Sequence, residues 1–507
     1  MLSRVNTITF NGLQILDVDL QVQITSGLPN FIIVGLPDKA IAESKERVRA
    51  ALQSLGLDLP AKRIVINLAP ADLLKEGSHF DLPIALGILA VMNVIPSNSL
   101  NNRLVLGELG LDGAILPVNG VLPVAMHAKK QKQGLICPQA SGSEAAWAEL
   151  NDIIAAPSLL TIINHLQNKN ILPSPQKPLP QPNNSFLDMA DVKGQESAKK
   201  ALEVAAAGAH NLLMIGPPGS GKSMLAARLP GILPPLTSDE ALETSMIHSI
   251  AGELKNGQIC FERPFRAPHH SASTPALIGG GRKAQPGDIS LAHNGVLFLD
   301  ELPEFNRPTL EALRQPLENG NVSISRVNAH TSYPARFQLI AAMNPCRCGH
   351  LGETALECKR APLCAQEYQA KISGPLLDRI DIQIEVPAVS PWELADVKKG
   401  ESSAQIRSRV IEARNFQAER LKKLGISNFF SNSELKGSLL EEVATTDNEA
   451  QNLLITFAEK NKLSARAYHR TLRLARTIAD LQKETKILKM HIAEALSYRR
   501  SLSSGSK

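Results

Sequence analysis

The stretch that decides the fold is Gly216-Pro217-Pro218-Gly219-Ser220-Gly221-Lys222-Ser223. An apolar run, residues 212–215, precedes it, and the residues that follow, 224–229, are typical of a helix. A strand, a glycine-rich loop ending in Lys-Ser and a helix form the arrangement that binds a nucleoside triphosphate. The glycines allow backbone N–H groups to approach phosphates, and the helix N-terminus contributes its positive end.

Each position of this loop has an expected task. Lys222 is expected to reach the β- and γ-phosphates of ATP, and the Ser223 hydroxyl to bind Mg²⁺. The predicted nucleotide contacts are Gly216, Gly219, Ser220, Gly221, Lys222 and Ser223.

A second half of the site follows downstream. Residues 295–301 form an apolar run that ends in Asp300 and Glu301. Such a run is typical of a buried parallel strand, and ligands gather at the carboxyl ends of such strands. We expect Asp300 to hold the Mg²⁺ shell and Glu301 to polarise the attacking water. Together with the glycine loop, this pair indicates an ATPase.

Composition limits the class of protein. The chain has 507 residues, enough for two to four domains, and is 43% hydrophobic and 20% charged, as in soluble proteins. Only 4% of residues are aromatic, which argues against a carbohydrate binder or an aromatic platform for single strands. The longest apolar stretch, residues 84–95, is too short to span a bilayer, and residues 1–10 lack a signal-peptide pattern. We expect a cytoplasmic protein without membrane contact.

Excess positive charge lies in the C-terminal part. Residues 391–507 contain 21 Lys and Arg against 14 Asp and Glu, whereas the rest of the chain has 33 against 35. This distribution suits a polyanionic partner. A solvated helical surface explains it equally well.

Patterning divides the chain into four parts. Residues 1–169 alternate strand and helix patterns, with strands expected near residues 18–24 and 64–68 and a helix near 39–55. A proline-rich linker, residues 170–184, is expected to be an extended spacer. The ATPase core is predicted at 185–389, and a helical domain at 390–507. The fold class is therefore multidomain α/β, with an N-terminal α+β domain, a central P-loop core and a C-terminal helical lid.

Three polar residues narrow the ATPase class to AAA+. Asn344 ends an apolar strand, where its side chain can sense the γ-phosphate. Arg379 lies at a turn, from which it can stabilise transition-state charge in a neighbouring subunit. Arg466 opens a basic helix and is expected to reach the phosphates of its own subunit, although Arg470 lies one turn away. A surface Asn, an Arg paired with Asp381 and a solvated helix are the structural alternatives.

The chain resembles the magnesium-chelatase branch of AAA+ proteins, and over its whole length the ComM/YifB-type competence proteins. The resemblance lies in residues 287–302 and 372–381, and in the N-terminal tracts 31–38 and 67–72. It implies a homohexameric ring that assembles with ATP, hydrolysis between subunits, and branch migration of branched or single-stranded DNA during natural transformation. By this resemblance Asn344 is sensor 1, Arg379 the arginine finger and Arg466 sensor 2.

The resemblance also accounts for two insertions. One covers residues 266–271 and then 279–283, with Arg282 and Lys283, and is expected to be a flexible hairpin in the ring's pore. Residues 322–328 are expected to form a second hairpin with Arg326 near its tip. Arg282, Lys283 and Arg326 are candidate contacts to DNA phosphates, which hold DNA without reading its sequence. Two solvated loops are the alternative.

Four cysteines after Asn344 suggest a metal site. Four thiolates complete a tetrahedral Zn²⁺ shell, which would be structural because it leaves no open position. The spacing departs from paired C-x-x-C motifs, His350 could replace one cysteine, and four reduced thiols are the alternative. The candidate ligands are Cys346, Cys348, Cys358 and Cys364.

The N-terminal domain resembles the Lon proteolytic (ribosomal S5 domain 2-like) fold. That mechanism needs a serine and a lysine, but His79 stands at the serine position and Leu122 at the lysine position. Ser78 is one residue away, and Lys129 and Lys130 lie on a helix expected to face solvent. Nucleophilic catalysis requires both partners within hydrogen-bond reach. We therefore expect no peptidase activity and interpret the domain as a scaffold.

The resulting hypothesis is an ATP-dependent DNA motor, a helicase or translocase. Two alternatives remain: a chelatase-like motor that remodels a protein partner, and a non-proteolytic ATP-binding scaffold. A scaffold would tolerate loss of Glu301 or Arg379, and both are present.

Overall fold

Two sheets organise the chain: a mixed seven-stranded sheet in the N-terminal part and a parallel five-stranded sheet in the centre. The computed structural model describes residues 2–178, 187–281, 284–325, 330–349, 351, 360–390, 400–426 and 431–499. Among these residues, no helix combines the length and the apolar character that a membrane crossing needs.

The N-terminal sheet is built around a long antiparallel hairpin, β1 (Leu2–Asn11) and β2 (Gln14–Thr25). Gly12 opens its two-residue turn at φ 66°, a left-handed conformation that glycine adopts without steric cost. In β2, Val18, Leu20 and Val22 are buried, and they alternate with more exposed positions as the sequence pattern predicts. The other strands of this part are β3 (Asn30–Val34), β4 (Arg63–Ala69), β5 (Arg103–Val105), β6 (Glu108–Leu109), β7 (Ile115–Leu116), β8 (Gly134–Pro138) and β9 (Ile153–Ala156).

Helices cover this sheet. The predicted helix near 39–55 is confirmed as α1 (Lys39–Ser54), capped by the Asp38 carboxylate, which accepts from the Ile41 N–H. Every residue of α2 (Asp81–Val91) is buried, which accounts for the longest apolar stretch as a core helix. The remaining helices here are α3 (Val121–Gln131), α4 (Gly142–Ala145) and α5 (Leu159–Leu166).

The first half of the proline-rich segment packs on the N-terminal domain. Leu172 packs against the domain's hydrophobic core, and the Lys177 ammonium lies 5.5 Å from the centroid of the Trp147 ring. Lys177 also pairs with Glu149. Residues 172–177 form no helix or strand, and apolar and charged contacts hold them on the N-terminal domain. Residues 179–184 lie outside the described part of the chain.

The central sheet has the strand order β11-β14-β17-β10-β18. All side chains of β10, β14 and β17 are buried, as expected for a parallel sheet covered on both faces. The five strands are β10 (Leu212–Ile215), β11 (Phe265–Arg266), β14 (Val296–Leu299), β17 (Gln338–Met343) and β18 (Ile382–Glu385).

Two hairpins and a series of helices are inserted between these strands. The hairpins pair β12 (Gly279–Gly280) with β13 (Gln285–Pro286), and β15 (Asn321–Ser325) with β16 (His330–Pro334). The helices are α6 (Glu196–Gly208), α7 (Lys222–Ala226), α8 (Leu229–Ile232), α9 (Ser238–Ala251), α10 (Thr274–Ile278), α11 (Asp288–Leu291), α12 (Arg307–Ala312), α13 (Arg314–Asn319), α14 (Leu363–Gln369) and α15 (Gly374–Leu377).

The C-terminal part is helical and shares a hydrophobic core with one face of the central sheet. Its longest helix begins at a capping box in which the Ser402 and Gln405 side chains bond each other's backbone N–H groups. At its other end, Arg420 forms an ion pair with the buried Asp480, which also pairs with Arg476. The helices are α16 (Ser403–Lys423), α17 (Gly437–Val443), α18 (Asn448–Lys460), α19 (Ala465–Leu481) and α20 (Lys489–Ser497).

Several hydrogen bonds join the N-terminal domain to the central part, among them one from the Trp147 indole N–H to the Gly257 carbonyl at 2.9 Å. The Glu144 carboxylate accepts from the Leu122 N–H (2.8 Å), at the start of α3, and from the Ser249 hydroxyl on α9. Separately, the Thr331 hydroxyl on β16 donates to the Asn11 side-chain oxygen at the tip of β1 (2.8 Å). The N-terminal domain therefore contacts an inserted hairpin directly, near the end where the chain passes from β15 to β16.

Candidate active site

The phosphate loop connects β10 to α7 and depends on glycine at three positions. Gly219 and Gly221 have φ values of 75° and 87°. A Cβ at Gly216 would lie 2.0 Å from the Val386 carbonyl oxygen. The loop therefore requires left-handed backbone and close packing against the segment after β18.

Lys222 lies inside this loop. Its ammonium donates to the carbonyl oxygens of Gly216 (2.7 Å) and Pro217 (2.8 Å), and lies 3.3 Å from the Asn344 side-chain oxygen. Burial lowers the pKa of Lys222, and Asp300 and Glu301 oppose that shift. The loop carbonyls are neutral acceptors, so a phosphate oxygen is a stronger partner for this cation.

Three neighbouring strands deliver the other polar groups. The sheet order places β14, β17 and β10 side by side and parallel, so Asp300, Asn344 and Gly216 follow the same edge of the sheet. The Ser223 hydroxyl donates to the Asp300 carboxylate at 2.6 Å. A hydroxyl and a carboxylate at this separation are oxygen ligands of the kind Mg²⁺ accepts beside phosphates. The residues present therefore fit the metal that the sequence predicts.

Glu301 is held outside the strand by its backbone. It has a φ of 51°, and its N–H donates to the Asp300 carboxylate at 3.0 Å. Its own carboxylate is about half exposed and lies 3.4 Å from Nδ1 of His270. Glu301 is accordingly free to contact water, with His270 as its described ionic partner.

His270 is a residue that the sequence analysis misplaced. Residues 266–271 were expected in a pore hairpin, but Phe265 and Arg266 form an edge strand that pairs parallel with β14. The loop after this strand brings His270 to Glu301, and the centroid of its ring lies 4.1 Å from that of the tilted His269 ring. A two-residue strand is too short to produce a periodic pattern, so the sequence offered little signal.

Arg379 and Arg466 do not join this cluster. The Arg379 guanidinium donates to the Glu318 carboxylate at 2.6 Å, and Arg466 lies 3.7 Å from the other oxygen of Glu318. Arg470 is buried, with 8% of its surface exposed, and its guanidinium donates at 2.8 Å to the carbonyl of Ile380, the residue after Arg379. The expectation that Arg466 reaches the phosphates of its own subunit disagrees with this position, because its ionic partner is the one that Arg379 uses.

Strand pairs are present at residues 279–286, the second part of the first predicted hairpin, and at residues 321–334. The Tyr333 hydroxyl on β16 donates to the carbonyl of Ala284, the residue just before β13 (2.8 Å), which joins the two hairpins to each other. The candidate DNA contacts Arg282, Lys283 and Arg326 lie outside the described residues.

Three of the four candidate zinc ligands are close together. The sulfur atoms of Cys346, Cys348 and Cys364 all lie within 4.8 Å of one another. Sulfurs on one Zn²⁺ are about 3.8 Å apart, given a Zn–S distance of about 2.3 Å and tetrahedral angles. The described thiols therefore fit part of a zinc shell. Cys358 and His350 lie outside the described residues.

The cysteine cluster is adjacent to the phosphate loop. A Cβ at Gly349 would lie 2.5 Å from Cδ of Pro218, so the segment after Cys348 packs directly on the loop. The Gln369 side chain also donates to the Pro345 carbonyl at 3.0 Å, which ties α14 to the residue after Asn344. A metal at this cluster would brace both segments.

The turn compared with a peptidase site has other partners. The Ser78 hydroxyl donates to Glu108, and the His79 ring bonds the Ile8 carbonyl at 2.9 Å. Lys129 pairs with Glu149 at 3.5 Å. Leu122, at the position compared with the lysine, is fully buried in α3.

Comparisons with known proteins cover almost the whole chain. Residues 188–394 match the family described as magnesium chelatase, subunit ChlI, while residues 20–141 match subunit ChlI of Mg-chelatase and residues 400–499 match its C-terminal family. Competence protein ComM of Haemophilus influenzae is 45% identical over 494 residues, 96% of this chain and 95% of that protein. The uncharacterized protein YifB of Escherichia coli is 42% identical, over 98% of this chain and 97% of that protein. Magnesium-chelatase subunit ChlI of Nicotiana tabacum is 24% identical, over 68% of this chain and 78% of that protein.

Proposed function

The chain belongs to the magnesium-chelatase-like AAA+ family that includes competence protein ComM, and from this membership we propose that it is an ATP-driven DNA motor. The observation that carries the proposal is the cluster of Lys222, Ser223, Asp300 and Asn344 at one sheet edge. Two hairpins that are hydrogen-bonded to each other accompany that cluster. The motor is proposed to be a homohexameric ring that assembles with ATP and migrates DNA branches in the cytoplasm during transformation.

The proposed ATP chemistry divides among the residues as follows. Lys222 and the loop N–H groups hold the phosphates, and Asn344 senses the γ-phosphate. Mg²⁺ on Ser223 and Asp300 would neutralise phosphate charge as it develops. Glu301 orients and polarises the attacking water. The products are ADP and inorganic phosphate.

Arg379 is proposed to act on the ATP of a neighbouring subunit. Its partner Glu318 is shared with Arg466, so we assign Arg466 to the same neighbouring site. The hairpins β12–β13 and β15–β16 are proposed to contact DNA phosphates through Arg282, Lys283 and Arg326.

The remaining parts are proposed to be structural. The cysteine cluster holds Zn²⁺ as a brace. The Lon-like N-terminal domain, residues 1–169, is a non-proteolytic scaffold, separated by residues 170–184 from the ATPase core, 185–389, and the helical domain, 390–507.

The proposal is tested by the ATPase rate with and without DNA, comparing single strands, duplex and four-way junctions. We expect strong stimulation by a branched or single-stranded substrate, and no activity in Lys222→Ala. Stimulation that persists in Lys222→Ala would reveal a contaminating ATPase.

A second candidate is a chelatase-like motor that remodels a protein partner. The match of residues 188–394 to magnesium chelatase subunit ChlI favours it. A robust ATPase rate that ignores every DNA would favour this function over the DNA motor, and the search would turn to a protein substrate.

A further inference from the structure

One carboxylate holds both arginines that the proposed function assigns to the neighbouring subunit's ATP. Oε2 of Glu318 accepts from Arg379 at 2.6 Å, and Oε1 lies 3.7 Å from Arg466. Arg379 is the main cause, and Arg466 and Lys436 lesser causes, of a pKa for Glu318 below its ordinary value. Three cations therefore surround a single acidic side chain.

The arginines reach Glu318 from separate elements. Arg379 follows α15 and Arg466 lies in α19, whereas Glu318 belongs to α13. A cavity of about 930 Å³ opens beside all three side chains. Guanidinium groups bind carboxylates and phosphates with the same geometry. The cavity therefore presents two arginines already gathered around one anion.

Glu318 also stands at the base of a proposed DNA hairpin. Gly320, at φ 68°, turns the chain from α13 into β15, and its carbonyl accepts from the Ala335 N–H at 2.7 Å. That bond closes the hairpin next to the end of β16. Only Asn319 and Gly320 separate Glu318 from β15. A shift of the Glu318 side chain and its helix end would therefore act close to the first hairpin strand.

We propose that Glu318 is a positioning residue that holds Arg379 and Arg466 in the separate subunit and releases them to the γ-phosphate of a neighbour. This inference rests on the proposed function. The carboxylate and the phosphate compete for the same two cations. When the phosphate takes them, Glu318 loses its partners, and the base of β15–β16 changes with the nucleotide state of the next subunit.

The test is Glu318→Gln in the full chain, which keeps the shape of the side chain and removes its charge. We expect the ATP concentration for half-maximal ring assembly, measured by sedimentation velocity, to fall about two- to fivefold, as for loss of partly exposed ion pairs. The ratio of DNA-stimulated to basal ATPase should fall at least about twofold. Glu449→Gln is the matched control, since Glu449 forms an exposed ion pair with Lys489 in the helical domain and does not line the cavity, and it should behave as wild type.

A double-mutant cycle separates this role from general stability. In an Arg379→Ala background the effect of Glu318→Gln on assembly should shrink, because the charge has lost its main partner. An undiminished effect there, or wild-type behaviour of Glu318→Gln, would overturn the inference. If Glu318→Gln fails to fold, Glu318→Asp replaces it. Because the aspartate side chain is shorter and reaches the arginines less well, assembly and DNA stimulation should change in the same direction as in Glu318→Gln. Rings that form without regard to ATP, with full activity in Arg379→Ala, would overturn the proposed function itself.

Discussion

The ATP site and the arginine site are built from the same kinds of polar groups but differ in how their charges are satisfied. At the ATP site, the Lys222 ammonium bonds neutral carbonyl oxygens and the Ser223 hydroxyl bonds the Asp300 carboxylate. These groups meet at one sheet edge, and Lys222 has no anion bonded to its ammonium among the described residues. At the arginine site, Arg379 and Arg466 already share the anionic Glu318. The polar groups of the first site meet within one chain, whereas the two arginines of the second are proposed to serve an anion bound by a neighbouring subunit.

The largest effect is expected from a substitution that removes the principal cation of the arginine site, Arg379. Arg379→Ala should lower the ATPase kcat about 10³-fold, because an arginine finger stabilises charge that develops only in the transition state. Steady-state phosphate release measures it, with Arg360→Ala, an exposed arginine paired with Glu367, as control. Mixing Arg379→Ala with Lys222→Ala subunits should restore part of the activity. No recovery at any ratio would argue against independently firing sites between subunits.

The next effect concerns the ATP site. Glu301→Gln should reduce kcat about 10²-fold or more while ATP binding and ring assembly persist, because the amide cannot act as a general base. Binding of a fluorescent ATP analogue and single-turnover hydrolysis measure the two properties. Normal hydrolysis would remove Glu301 from its assigned role.

A substitution at Arg466 tests whether the arginine site contributes one cation or two to the neighbouring subunit. Arg466→Ala should lower kcat about tenfold, equivalent to about 1.4 kcal/mol of transition-state stabilisation. Mixed with Arg379→Ala subunits it should give no recovery, because every interface would then lack one arginine. Recovery in that mixture would return Arg466 to the ATP site of its own subunit.

The smallest expected effect is at His270. His270→Ala should lower kcat about two- to fivefold with little change in KM, because Glu301 loses an exposed partner that orients it. His269→Ala is the matched control, since that neighbouring ring bonds Ser271 instead. An equal loss of kcat in both variants would indicate a general disturbance of the loop. The contact between His270 and Glu301 would then have no specific role in hydrolysis.

The two sites also differ in how far the sequence predicted them. The phosphate loop is contiguous, and Asp300 and Asn344 each end a buried apolar strand, so parallel-sheet rules place them together. Glu318 lies in a six-residue helix and His270 follows a two-residue strand, and both elements are too short to carry a periodic pattern. The orientation of α19, which puts Arg466 beside Glu318, follows from packing in a shared core that local sequence does not encode.

The fold was predicted most reliably where patterns are long. The strand near residues 18–24, the helix near 39–55 and the long C-terminal helices were predicted and are confirmed, because each repeats its apolar spacing over several turns or pairs. Docking between domains was not predicted. It depends on single polar contacts such as Glu144 with Ser249, which leave no trace in periodicity.

The contact of the Asn11–Gly12 turn with β16 has a mechanical consequence. A hairpin that pushes on a polymer experiences an equal recoil, and a two-stranded ribbon by itself bends easily. If β15–β16 pushes on DNA as proposed, the recoil would pass through Thr331 into Asn11 of β1, and from there into a seven-stranded sheet. On the proposed function, the N-terminal domain would act as a buttress that holds β16 near the hairpin turn, where a polymer would be contacted.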